Sequence, residues 1–406
     1  MSDIYTYKNV SSDVPAGAVS PLSGVRVVVQ PNISVRGWPC DAGSGALEGF
    51  VPLQDAAVIT RLKSAGALLA GSSRMSELGF GLVGETTVRA LEEGADVAVM
   101  TDTMGEARVA AAANGLFGFK PSFGVVSRFG LIGLVPSMEC AGLVARDLDT
   151  IVDVMMAIAG KDPNDPSMPD EPAVDLASAR EGFECPFRAG VVKESMDLLN
   201  ETEVRSFKAG LARMEAVGAV IQEVSLPGYS LFRTVHNTVA SVEASSSAGK
   251  YDSVRFGHRA PQGKNWNEMY LASRGESFRS LVKAFLFQGA FFQFEDYGAF
   301  EDACRIRNRL VGETMDVFRT VDFLVFPTRR TGHDPWEAAS VKAVYESFLL
   351  TLPANVTGSP AVQVPACNVD GGVYIGLQVM GKRLDDARLL CAASAIAYTV
   401  PGGNAA

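Results

Sequence analysis

The stretch VAVMTDTMGEARVAAAANGLFGFKPSFGVVSRFG, Val97 to Gly130, decides how the rest of the chain is read. Val97 to Thr101 is a short apolar run of β type, ending in a turn that holds Asp102, Thr103 and Gly105. An alanine-rich segment begins at Glu106, and Gly115 and Gly118 stop it, which predicts a helix between them. Strand, tight turn and helix start together lift one side chain and several free backbone N–H groups into a cleft. Where this geometry presents a nucleophile, the side chain is serine or cysteine. Here it is Glu106.

Upstream, Val25 to Val29 (VRVVV) reads as a buried strand, ended by Gln30-Pro31-Asn32 because proline cannot donate to a ladder. Pro52 and Asp55 open an amphipathic helix with apolar positions Val58, Ile59, Leu62, Ala65, Leu68 and Leu69, closed by Gly71. Ser73 to Leu78 reads as another helix start. Downstream, Ile151 to Ala159 is helical, and DPNDPSMPDEP (Asp162 to Pro172) breaks all regularity, as a linker does. A strand near Ala189–Val192, a helix from Glu203 to Val217 and a strand at Val220–Leu226 follow. Residues 229–318 are largely helical and rich in aromatics. Strands resume at Val321–Phe326, Ala361–Val364 and Val373–Val379, before a last helix from Asp385 to Tyr398. The alternation predicts an α/β fold with a mixed central β-sheet flanked by helices on both faces. The expected organisation is a loose lead-in over 1–23, one α/β domain over 24–400 with a helical subregion at 229–318, and a tail at 401–406.

The 406 residues, with 47% hydrophobic and 20% charged side chains, are those of an ordinary globular chain able to bury a large core. A net charge of −10 argues against direct nucleic-acid binding. Six cysteines (Cys40, Cys140, Cys185, Cys304, Cys367, Cys391) show no CxxC spacing and read as reduced thiols. His236, His258 and His333 are too far apart for a local zinc motif, so neither a metal nor a cofactor is expected. The N-terminus lacks a basic region followed by an apolar core, so no signal peptide is read and the expected location is cytoplasmic. AFLFQGAFFQF (Ala284 to Phe294) is too short to span a bilayer, so no membrane role is expected.

At this point the chain resembles the amidase-signature family and, within it, the A subunits of tRNA-dependent glutamyl/aspartyl amidotransferases. TDTMGEAR (Thr101 to Arg108) is similar to the family's Ser-Asp-Thr-Gly-Gly-Ser-Ile-Arg. Gly118 to Asp147 (GFKPSFGVVSRFGLIGLVPSMECAGLVARD) follows the family's core run. So do RAGVVKES (Arg188 to Ser195), ASVEASSSAGKYDSVRFGHRA (Ala240 to Ala260), PANVTGSPAVQVPA (Pro353 to Ala366) and GVYIGLQVMGKRLDDARLL (Gly372 to Leu390). The run Tyr251–Gly257 (YDSVRFG) is nearer to the amidotransferase subunits than to general amidases.

The resemblance implies amide cleavage by a Ser–cis-Ser–Lys triad, with backbone N–H groups holding the oxyanion. Three positions depart from it. The lysine is expected where Gln30 stands, in Val29-Gln30-Pro31-Asn32-Ile33. The Gly/Ser-rich loop of the cis-serine is replaced by ETTVRALEEGAD (Glu85 to Asp96), and the nucleophile aligns with Glu106. Ser72, Ser73, Ser76, Ser122, Ser127 and Ser137 lie off the elbow, and Lys120 matches a family lysine that is not the base. A carboxylate at 106 repels a developing oxyanion. No intact catalytic residue is therefore expected, with Gln30 and Glu106 the degenerate positions.

The binding candidates are Asp102, Thr103, Gly105, Arg108, Tyr297 and Asp385. For Asp102 and Arg108 the plainer role is an ion pair or turn cap, and Arg108 is also a candidate partner for Glu106. Tyr297 and Asp385 match positions that the resemblance assigns to glutamine recognition, against plainer roles in packing and N-capping. Arg329-Arg330 reads as a surface basic pair or an added partner contact. The expectation is an inactive amidase-like scaffold or regulatory subunit whose protein partner is an amidotransferase-type subunit or an active amidase. The alternatives are a working amidase or amidotransferase glutaminase subunit with relocated catalytic residues, and a sensor that binds small amides.

Overall fold

Alternate residues of neighbouring strands point to opposite faces, and here both faces are covered. Val28, Ala98 and Met100 enter one apolar cluster, while Val27, Val29, Val97 and Val99 enter the other. The computed structural model describes residues 4–9, 20–82, 86–171, 173–365, 368–369 and 373–398. The expected tail at 401–406 lies outside the described residues.

The strands are β1 (Tyr5–Lys8), β2 (Arg26–Val29), β3 (Leu68–Ser73), β4 (Val97–Asp102), β5 (Phe117–Lys120), β6 (Cys140–Ala145) and β7 (Phe187–Val192). They continue as β8 (Ala219–Val224), β9 (Phe323–Pro327), β10 (Ala361–Val364), β11 (Asn368–Val369), β12 (Val373–Tyr374) and β13 (Leu377–Met380). Eleven of them form one sheet in the order β1-β3-β2-β4-β6-β5-β10-β13-β9-β7-β8, and β11 pairs with β12 apart from it. β2 runs parallel to β3 and β4, and β7 runs parallel to β8 and β9. The strands between these two groups pair antiparallel, so the sheet is mixed as expected.

The helices are α1 (Ala57–Ser64), α2 (Thr86–Arg89), α3 (Glu106–Ala113), α4 (Leu148–Ile158), α5 (Lys193–Met196), α6 (Glu201–Ala216) and α7 (Leu231–Ala248). They are followed by α8 (Trp266–Ser277), α9 (Ser280–Phe294), α10 (Tyr297–Val317), α11 (Val341–Phe348), α12 (Leu352–Thr357) and α13 (Asp386–Tyr398). Residues of α1, α4, α6 and α13 pack on one face of the sheet, and residues of α3, α7, α9 and α10 on the other. α7 and α9 approach closely at Gly289, where a Cβ would overlap the backbone of Ser241. Among the described residues no helix is long and apolar enough to cross a membrane.

Several expectations change. Tyr5–Lys8, inside the stretch read as a loose lead-in, is an edge strand paired antiparallel with β3. Leu68 and Leu69 leave the predicted helix for β3, because Gly66, at φ 87°, turns the chain after Ala65. Ser73 closes that strand, and only a 3-10 turn at Glu77–Gly79 follows it. β5 and β6, read only as part of the family's core run, are strands between β4 and β10. The break at 162–171 carries no helix or strand, yet the sheet continues past it through β10, β13, β9 and β7. The strand read at Val373–Val379 divides at Gly376, with φ 73°, into β12 and β13.

Candidate functional site

β4 ends at Asp102 and α3 begins at Glu106, so the three residues between them form the turn. Gly105 sits there at φ 125°, and a Cβ on it would overlap the Thr351 side chain. Only glycine fits without displacing that threonine. The N–H groups of Thr103, Met104 and Gly105 converge on a single oxygen, donating to Glu106 Oε2 at 2.6, 2.8 and 3.1 Å. Oε1 of the same carboxyl is buried and has no hydrogen-bond partner among the described residues. Burial, and then the nearby Asp102 charge, raise the Glu106 pKa from 4.5 to about 8 against the pull of the turn N–H groups. At neutral pH the carboxyl is therefore mostly protonated. Its proton belongs on Oε1, since Oε2 already accepts three bonds.

Beneath the turn lies a buried polar network. Arg108 donates to both carboxylate oxygens of Asp102, Nη2 at 2.8 Å and Nε at 3.2 Å. Its other N–H groups reach the Thr351 carbonyl at 3.0 Å, Gln378 Oε1 at 2.6 Å and Asn355 Oδ1. Asn355 returns a bond to Asp102 and one to the Met138 carbonyl. Burial pushes the Asp102 carboxyl up, but the Arg108 charge and hydrogen bonds outweigh it and hold the group below its ordinary value. Arg108 is thus committed to Asp102, and the expected pairing with Glu106 does not form.

Thr103 joins a second set of groups. Its hydroxyl donates to Glu139 Oε2 at 3.4 Å, and Arg128 binds the other oxygen of Glu139 at 3.0 Å. Its carbonyl lies 2.9 Å from His236 Nε2, while His236 Nδ1 lies 2.9 Å from the Tyr345 hydroxyl. A carbonyl can only accept, so Nε2 carries the proton and Nδ1 accepts from Tyr345. Burial lowers the His236 pKa to about 4, which keeps the ring neutral. Glu139 lies within the run Gly118 to Asp147, but nothing in its spacing marks it. His236 was visible only as an isolated histidine.

Gln30 is buried, and its Oε1 accepts from the N–H and hydroxyl of Thr101 at 3.0 and 3.2 Å, tying the end of β2 to β4. Lys120 is fully buried with Nζ on the Pro121 carbonyl at 2.7 Å, and burial lowers its pKa. Among the described residues no serine–lysine hydrogen bond stands beside Glu106, and no cluster of His, Cys, Asp or Glu has the makings of a metal site. ETTVRALEEGAD begins at Glu85, outside the described residues, and continues into α2.

The structure brings Asp102, Thr103, Gly105, Glu106 and Arg108 together, but not the other two candidates. Tyr297 begins α10 at 52% exposure and packs on Phe300. Asp385 precedes α13 beside Arg388, and burial raises its pKa. Arg329 and Arg330 are not a surface pair. Arg329 is buried against Asp334 and Trp336, and Arg330 bonds Glu346. A surface cavity of about 450 Å³ lined by Arg36, Asp55, Arg61, Phe129 and Lys161 takes no residue from the turn.

Comparison with known proteins defines the class. The amidase family model matches residues 7–90 and 92–390, and the chain belongs to that family. It is 31% identical over 92% of its length to the A subunit of the glutamyl-tRNA(Gln) amidotransferase of Latilactobacillus sakei, covering 82% of that protein. The corresponding A subunit from Haloarcula marismortui is 31% identical, with 93% of this chain and 96% of that one covered. Among solved structures, the A subunit from Thermotoga maritima superposes with a TM-score of 0.76 at 24% identity, over 92% of this chain and 83% of that one. A chain from a vestigial complex linked to the origins of an s-triazine catabolic enzyme gives 0.80 at 20% identity, over 97% and 90%. These findings correct the expectation of a catalytically inactive scaffold. That reading rested on Gln30, Glu106 and a shortened loop. Similarity to amidotransferase subunits along nearly the whole chain points to an amidotransferase subunit instead.

Proposed function

We propose that the chain serves as an A-type subunit of an amidotransferase assembly and works on amides at the Thr103–Glu106 turn with a rearranged set of side chains. The observation that carries this reading is the contact of the Thr103 hydroxyl with Glu139 at 3.4 Å, beside three converging backbone N–H groups. In the proposed reaction the Thr103 hydroxyl attacks the amide carbonyl while its proton passes to Glu139. Arg128 holds that carboxylate in place. Breaking the C–N bond returns the proton to the departing nitrogen, which leaves as ammonia. Water then hydrolyses the threonyl ester, releasing the acid and restoring the hydroxyl. The carbonyl oxygen takes the place of Glu106 Oε2 on the turn N–H groups. A protonated Glu106 gives up that place at less cost than an ionised one.

The full chain, alone and assembled with amidotransferase partner subunits, is assayed for ammonia release from glutamine, asparagine and simple amides. Assembly is expected to support turnover, and Thr103→Val and Glu139→Gln are each expected to reduce it about 100-fold or more. No turnover in the assembled state, or turnover untouched by both substitutions, overturns the reading.

A further inference from the structure

α9 is mostly apolar, with Ser280, Lys283, Gln288 and Gln293 as its polar side chains, and only half of it is covered. Val282, Phe285, Leu286 and Gly289 face inward. On the opposite side Ser280, Ala284, Phe287, Phe291 and Phe294 are exposed, at alternating spacings of four and three residues. That spacing is the seam of a helix that packs along a second helix. Phe287 is 74% exposed, Phe291 53%, Phe294 76% and the neighbouring Tyr297 52%. A surface helix ordinarily turns one apolar stripe to the core and a polar face outward, whereas α9 carries a second apolar stripe opposite the first. With 15 residues α9 is too short to cross a bilayer.

We propose that this seam is a homodimer interface, in which α9 packs antiparallel against α9 of a second copy of the chain. Three features favour the second copy as occupant. The seam is self-complementary: in antiparallel register Phe287 lies opposite Phe291 of the second copy, and Ala284 opposite Phe294, so small meets large at both ends. The edges are compatible. One carries Leu281, Gln288 and Glu295 and the other Lys283 and Ala290. A two-fold axis sets Gln288 beside Gln288, Ala290 beside Ala290 and Leu281 beside Glu295, with no like charges opposed. The area also suffices. The four exposed aromatics offer roughly 500 Å² on each copy, taking about 200 Å² for a whole side chain. Two copies therefore bury roughly 1,000 Å² through these four side chains alone, the least that a specific interface needs. This interface is independent of the chemistry at Thr103.

Light scattering on the full chain across micromolar concentrations should give twice the 43.0 kDa chain mass. Phe287→Asp combined with Phe291→Asp should weaken dimerisation about 100-fold or more while leaving the circular dichroism spectrum unchanged. The double variant Ala284→Cys/Phe294→Cys should cross-link between copies on oxidation, in a background where Cys185 and Cys304 are replaced by serine. A wild-type chain that stays monomeric throughout, as it would if a helix of some other protein occupied the seam, overturns the proposal. So does a dimer that survives both aspartates, or one that the engineered cysteines fail to lock.

Discussion

The backbone N–H of Thr103 donates to Oε2 of Glu106 at 2.6 Å, so the first side chain of α3 folds back over the turn that launches the helix. An anion at a helix N-terminus is favourable by about 0.3–1 kcal/mol at exposed sites. Burial outweighs that here and raises the pKa to about 8. The unfolded chain titrates this residue near 4.5, so between these values the folded protein holds the extra proton. Its contribution to stability is complete below the unfolded value and is lost as pH rises through the folded one. The loss is on the order of a few kcal/mol. Glu106→Gln removes this titration. Denaturant melts across pH 5 to 9 should show the difference between wild type and variant shifting in the variant's favour as pH rises. A difference independent of pH would mean that Glu106 is ionised throughout.

The Asp102–Arg108 pair has no solvent to fall back on, since both side chains are fully buried. Arg108→Met is expected to cost about 3–5 kcal/mol, because it strands a buried carboxylate together with the acceptors on Gln378 and Asn355. Adding Asp102→Asn should recover part of that loss. Unfolding midpoints of the two single variants and the double variant measure the recovery. Additive losses would show that the two side chains do not act as a pair.

The turn was legible in the sequence because its signals are local. An apolar β run, glycine at the bend and an alanine-rich helix start lie within some twenty residues, and the structure places all three as read. What supports the turn was not legible. Thr351, Asn355 and Gln378 reach Arg108 from more than 240 residues away, and no spacing rule joins them to it. Glu139 acquires a role only because β6 lies antiparallel to β4, which sets Cys140 beside Asp102. β5 and β6 escaped a pattern reading because they are buried on both faces, so their residues do not alternate in polarity. Tyr297 and Asp385 did not join the cluster because Tyr297 begins α10 and Asp385 stands just before α13, and among the described residues neither bonds to the turn.

His236 links the turn to α11 through Thr103 and Tyr345. With its pKa lowered to about 4, the ring should stay neutral from pH 5.5 to 8. Nitrogen NMR of histidine-labelled protein should show one set of ring shifts unchanged across that range, with the proton on Nε2. His236→Phe leaves the Tyr345 hydroxyl and the Thr103 carbonyl unsatisfied, at a cost of about 1–3 kcal/mol each. A ring that titrates near 6.5 would mean that water reaches it and that the turn is more open than the hydrogen bonds imply.

Gly105 and Thr351 test whether the turn depends on shape or on polarity. At φ 125° a side chain at 105 is strained in itself, and its Cβ would collide with Thr351, whose hydroxyl donates to the Met104 carbonyl. Strain of this kind costs about 1–3 kcal/mol before any clash is counted. Gly105→Ala should therefore destabilise by more than that. Thr351→Gly alone should cost less, through the lost hydroxyl bond and added chain freedom. In the double variant the collision is gone but the strained φ remains. Unfolding measurements should then show a coupling between the two substitutions of about 1 kcal/mol or more, well beyond ordinary additivity error. Simple additivity would mean that the turn moves aside to admit the methyl group. The three N–H groups would then no longer be held on one point, and the site would owe its geometry to Glu106 rather than to the packing of Thr351 on Gly105.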